Sequence, residues 1–116
     1  MRRAASADSL DEFRHHLSRM MGRTGRDAGD VGAAVLTLAG GILWMKDPGP
    51  VEVRALRGEV PTMLRVSLGG ERYVLRYDVH MRRLEVRSGS GSGDLLLGVS
   101  DETDPREVMS FLLRLV

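Results

Sequence analysis

The stretch "LRVSLGGERYVLRYD", residues 64–78, constrains the architecture of this chain more than any other. Apolar and polar residues alternate on both sides of Gly69–Gly70, a period of two that marks strands with one buried face. A Gly-Gly pair between two such runs reads as a two-residue hairpin loop, because the favoured turn needs positive φ at its centre. Closing the turn there pairs Leu68 with Glu71, Val66 with Tyr73 and Leu64 with Leu75, so the apolar residues gather on one face.

A second hairpin follows. With Asp78 to Met81 as a four-residue loop, Tyr77 is expected opposite Arg82, Leu75 opposite Leu84 and Tyr73 opposite Val86. The apolar face then continues unbroken. On the other face this register sets Arg72 against Arg87 and Arg76 against Arg83, and like charges directly opposed cost stability. Arg65, Arg72, Arg76, Arg83 and Arg87 would share that face with Glu85 as its one carboxylate. Two readings stay open. Either the guanidinium groups splay into water, neutralised on diagonals by Glu52, Glu71 and Glu85, or the face awaits an acidic partner surface, a nucleic-acid backbone or a small anion.

Around these hairpins the other elements can be placed by pattern. Ser9 and Glu12 form an S-x-x-E capping box ahead of Leu10, Phe13, Leu17, Met20 and Met21, which predicts a helix over 9–21 stopped by Gly22. Residues 30–39 carry either a helix, with Asp30 as N-cap and Gly40 as C-cap, or one arm of a hairpin turning at Gly40–Gly41; the alanines favour the helix. From Gly41 onward the pattern reads as strand, through "GILWMKD", "VEVRAL" and "MLRVSL" to "DLLLGVS". A last helix over 105–115 opens with Asp104, Pro105 and Glu107. The expected fold is α+β: a five- or six-stranded, mostly antiparallel meander from about Gly41 to Val99, its apolar face covered by the N- and C-terminal helices. One domain spans 1–116, with a disordered tail over 1–8 and a flexible "SGSGSG" loop over 88–93.

The totals exclude several classes. The chain has 116 residues and no cysteine, which removes disulfide scaffolds and thiolate metal sites. Its N-terminus lacks the apolar run of a secretory signal, and Val31 to Met45 is too short and glycine-rich to span a bilayer, so a cytoplasmic location is expected. Lys46 is the only lysine among 17 basic residues. The codon usage of a GC-rich genome gives that bias, and so does selection for bidentate anion contacts.

No catalytic or metal-binding constellation is legible. His15 and His16 are adjacent on the polar side of the first helix, and His80 lies in a turn. Asp27 and Asp30 lack the further ligand of a cation loop, and "GRTGRDAG" lacks the lysine of a phosphate loop. Glu52, Glu59 and Asp78 fall near strand ends without a distinguishing context. The arginine face carries no aromatic residue for base stacking, and a net charge of +1 is small, which together count against nucleic acid as the partner. No cofactor is expected.

The succession of helix, strand meander and closing helix in a short, Arg- and Gly-rich chain resembles the products of integron gene cassettes. That resemblance implies a small bacterial α+β protein, often oligomeric. The function expected is therefore a non-enzymatic binding or assembly module acting as a homodimer. The alternative is a binder of a small anion or nucleic-acid backbone through the arginine face, and an enzyme ranks behind both. A terminal helix whose Val108, Met109, Phe111, Leu112, Leu115 and Val116 cover more than one side argues for self-association.

Overall fold

The computed structural model describes residues 5–6, 9–22, 32–55, 61–89 and 93–115. Its sheet is a pure meander. Strands β1 (Ala5–Ser6), β2 (Glu52–Ala55), β3 (Pro61–Leu68), β4 (Glu71–Asp78), β5 (Arg83–Ser88) and β6 (Leu95–Val99) lie side by side in chain order. Each neighbour is antiparallel. Helices α1 (Leu10–Met20), α2 (Gly32–Met45) and α3 (Pro105–Arg114) complete an α+β fold, as the sequence leads one to expect.

The helices share one face of the sheet. Phe13 and Leu17 of α1, Val35, Leu38 and Ile42 of α2, and Val108, Phe111 and Leu112 of α3 form one buried cluster with Leu64, Val66, Tyr73, Leu75, Leu84 and Val86. The strand residues in that cluster alternate along the chain, so the pleat sends every second side chain into the core. Burying a Leu or Phe fully contributes about 1.5–3 kcal/mol each, which is what holds the helices down.

Local signals set the helix ends. The Ser9 hydroxyl accepts a hydrogen bond from the Glu12 amide at 3.1 Å and caps α1. Asp104 caps α3 by accepting from the Arg106 amide at 2.9 Å, and Pro105 opens the helix. Two departures from the sequence reading concern the second helix and the N-terminal tail. Residues 30–39 do belong to a helix, but α2 runs on through Gly40 and Gly41 to Met45, so "GILWM" is helical and not the first strand. Gly41 is no stop signal here. It lies against the Leu112 side chain, which a larger residue would have to displace. Packing thus overrides the weak helix propensity of glycine. The tail assigned to 1–8 carries a two-residue strand, Ala5 pairing with Val53 and Ser6 with Glu52; the rest of it, and residues 90–92 of the Ser/Gly loop, lie outside the described residues.

Asp47, just past α2, ties the helix to the hairpin. Its backbone N–H donates to the Ser67 carbonyl at 2.8 Å. Its carboxylate accepts from the amides of Gly69 and Gly70 at 3.1 and 2.8 Å. Both glycines have positive φ, 57° and 82°, the conformation the two-residue turn demands.

Candidate functional site: the arginine face of the sheet

The β3–β4 register is the expected one, with Leu64 opposite Leu75, Val66 opposite Tyr73 and Ser67 opposite Arg72. The β4–β5 register differs by two residues. Asp78 pairs with Arg83, Tyr77 with Leu84, Arg76 with Glu85, Leu75 with Val86 and Val74 with Arg87. The loop is Val79–Arg82, one residue later than the sequence suggested. Two features make it. The Asp78 carboxylate accepts from the His80 and Met81 amides at 3.0 and 3.1 Å, and Arg82 takes positive φ, 52°. A two-residue slip conserves the faces, so the apolar side is as expected while every cross-strand pair on the arginine side changes.

The correction removes the opposed arginines. Arg76 faces Glu85 and Arg83 faces Asp78, while Arg72 and Arg87 no longer face each other. Read along the hairpin, Arg72, Arg87, Arg76 and Arg83 alternate between β4 and β5 at two-residue steps, a staggered row in place of a pair of clashes. All five arginines singled out, Arg65, Arg72, Arg76, Arg83 and Arg87, do share this face, because their pleat positions have one parity.

Glu85 is the centre of the row and is only 3% exposed. Its carboxylate accepts from Arg87 Nε at 3.0 Å and from Arg83 Nη2 at 3.3 Å, the residues two after and two before it on β5. Arg87 also donates from Nη1 to the Gly93 carbonyl at 2.9 Å. Arg83 reaches Glu85 by lying over Gly98, the residue paired with Glu85 on β6, where a Cβ would stand 2.9 Å from Arg83 Cδ. A carboxylate this enclosed needs such partners, since an unpaired buried charge is strongly destabilising.

Val74 is the second buried residue of this face, and pattern reasoning missed its burial. It has no exposed surface, yet it stands apart from the core cluster that holds its neighbours Tyr73 and Leu75. Its cross-strand partners are Arg65 and Arg87, and its neighbours on the same side of β4 are Arg72 and Arg76. Arginine stems therefore roof it. The one signal in the sequence was a valine placed among arginines by period two.

The other residues weighed do not converge. His15 and His16 stack edge to face with ring centroids 5.7 Å apart on α1, and His80 stays exposed in the β4–β5 turn. Asp27, Asp30 and Glu59 lie outside the described residues. Among the described residues no His, Asp and Glu side chains gather into a group able to hold a metal, and no helix is long and apolar enough to cross a membrane. Asp101, between β6 and α3, has its carboxylate against Gly32 at the start of α2, where its charge suits the helix dipole.

A meander of this kind, with all its helices on one face and a charged face left open, defines a small α+β protein whose two sides are chemically unlike. The chain belongs to a family of integron cassette proteins: residues 13–109, from α1 into α3, match the family described as "Integron cassette protein VCH_CASS1 chain". The match covers α2 and β2 to β6 whole, α1 and α3 in part, and leaves out β1. None of the curated proteins compared with the chain matches it. The family membership brings no activity with it.

Proposed function

We propose that the protein is a non-enzymatic assembly module that works as a homodimer, two copies meeting through the outward side of α2. The observation that carries this reading is the composition of that helix. Its 14 residues, "GAAVLTLAGGILWM", include no charge. The only polar side chain is Thr37, and its hydroxyl donates to the Ala33 carbonyl at 2.8 Å, so it offers water little. Ala34, Val35, Leu38, Ala39, Gly41 and Ile42 are buried inward. Leu36 is exposed, and Trp44 is 90% exposed. A helix apolar on all sides belongs where all sides are covered.

A second copy is the occupant this surface fits. An uncharged strip has no sign for a foreign partner to complement, and a two-fold axis lets the same strip satisfy itself. The helix is about 21 Å long at 1.5 Å per residue. On α3, which packs on Gly41 through Leu112, Met109 and Leu113 lie four residues apart and are exposed as well. A stable interface needs about 800 Å² from each partner, and one tryptophan supplies about 150–250 Å² of it.

Sedimentation velocity from 1 to 100 µM tests the proposal, with the emission of Trp44, the single tryptophan, as an independent reporter. A dimer is expected, with Trp44 emission shifting red on dilution. Leu36→Glu with Trp44→Glu should give a monomer of unchanged circular dichroism. A wild-type chain that stays monomeric at 100 µM refutes the reading.

A further inference from the structure

The opposite side of the molecule carries a separate feature that the dimer proposal does not use. Around Val74 stand four arginines: Arg65 and Arg87 across the neighbouring strands, Arg72 and Arg76 along β4. Cross-strand and i±2 positions on one face bring their stems into contact range of a single valine. Val74 has no exposed surface, so the stems close over it and form the surface between the guanidinium groups.

Glu52 stands directly opposite Arg65 on β2, but no ion pair joins the two. Glu85 accepts from Arg87 and from Arg83, which leaves its two oxygens engaged. Asp78 lies at the far end of the hairpin, its Oδ1 bound to two turn amides. Arg72 forms no ion pair among the described residues, nor does Arg65. Arg65 Nε is moreover closed off from solvent with no hydrogen-bond partner. The cost of that unmet donor falls on the fold, and the donors open to a ligand are the Nη groups of Arg65, which are not shut away. Ser67, directly opposite Arg72 and two residues from Arg65 on the same face, adds a hydroxyl beside them.

We infer that this face is a site for a small oxyanion of phosphate or sulfate type, held over Val74 by Arg65 and Arg72, with Arg87 as a charged wall fixed by Glu85 and Gly93. The chemistry follows from the side chains. Guanidinium groups present paired donors that match the oxygens of a tetrahedral anion, and two from adjacent strands can grip one group from both sides. Arg65, Ser67, Arg72, Val74, Arg76 and Arg87 include no aromatic ring, so the group recognised is the anion itself and not an attached base. Free phosphate and the phosphate of a small ester are the two sources such a site accepts.

Titration followed through the arginine Nε–Hε resonances tests this on the full chain. Inorganic phosphate should move the Arg65 and Arg72 signals saturably, while chloride at equal ionic strength should not. Arg72→Gln, at an exposed position, should keep the fold and raise the phosphate Kd at least tenfold. Arg65→Lys, which keeps the charge and loses the fork, should weaken binding as well. A nucleoside 5′-monophosphate in a parallel titration identifies the source. Tighter binding than phosphate, through the same two resonances, points to an ester, and equal binding points to the free anion. Linear, unsaturated shifts in wild type, or an Arg72→Gln chain that binds phosphate as wild type does, would overturn the site. So would a response confined to single-stranded oligonucleotide. None of these results depends on the oligomeric state, so failure of the dimer reading and failure of this one remain distinguishable.

Discussion

Gly40 and Gly41 are neighbours in the middle of α2, and alanine at each should shift stability in opposite directions. A Cβ on Gly40 meets nothing within 4 Å, whereas one on Gly41 overlaps the Leu112 side chain. Replacing a helical glycine by alanine gains about 0.8–1.0 kcal/mol of propensity at either position. Gly40→Ala should realise that gain. Gly41→Ala must also push a fully buried leucine, and overpacking a close-packed core costs about 1–3 kcal/mol. The expected net effect at Gly41 runs from neutral to about 2 kcal/mol destabilising. The difference between the two variants isolates the overlap, because propensity cancels. Urea unfolding resolves it, since an m-value of about 1–3 kcal/mol/M turns such a gap into a midpoint difference on the order of 1 M. Measurements at two protein concentrations separate this from any change in dimerisation, as Gly40 lies on the bare side of α2. Leu112→Val removes the offending Cδ1, so in that background Gly41→Ala should lose most of its penalty, a coupling of about 0.5–3 kcal/mol. Equal stabilities for the two alanine variants, or no coupling to Leu112, would refute the account of why the helix runs through its glycines.

Three further outcomes are expected. Glu85→Gln should destabilise by about 1.5–3 kcal/mol in urea, the scale of hydrogen bonds to a charged group; the figure stays below that of a fully buried pair because the Arg83 and Arg87 side chains are 30% and 25% exposed and can rehydrate. Arg82→Gly should stabilise by up to about 1 kcal/mol, because a non-glycine residue at φ 52° sits in the disfavoured left-handed region; a loss of stability would mean the arginine side chain matters more than the backbone. Asp78 and Asp104 both titrate below the ordinary value of 3.8, the first chiefly through the Met81 amide and the second through Arg106. A carboxylate with a depressed folded pKa stabilises above its unfolded pKa, and the contribution is lost as pH falls through the folded value. The wild type should therefore lose stability below about pH 4 more steeply than the Asp78→Asn, Asp104→Asn double variant, and superimposable acid limbs would contradict this.

How far the sequence could be read depended on whether each signal was local. The Gly69–Gly70 turn was fully legible, because the residues that need positive φ are glycines and announce it; the β3–β4 register followed at once. The next turn has the same requirement at Arg82, where nothing in the residue type announces it, and the register was misjudged by two. The error was invisible to the hydrophobic pattern, since an even slip keeps every side chain on its own face. It mattered only to the charged side, where it turned two apparent repulsions into an arginine row arranged about Glu85. Gly40–Gly41 misled in the opposite way. Two glycines look like a stop, yet one of them serves a contact with Leu112, some 70 residues later in the chain, that no local pattern could reveal. The face was likewise legible as a set of five arginines but not as a built surface. Val74 and Glu85 are ordinary by pattern, and their burial arises only once Arg65, Arg83 and Arg87 arrive from other positions to cover them. The same dependence explains why the arginine count alone decided nothing. What distinguishes a solvated face from a binding one is which carboxylates are already engaged, and on this face Glu85 is committed to Arg83 and Arg87 while Arg65 and Arg72 form no ion pair among the described residues.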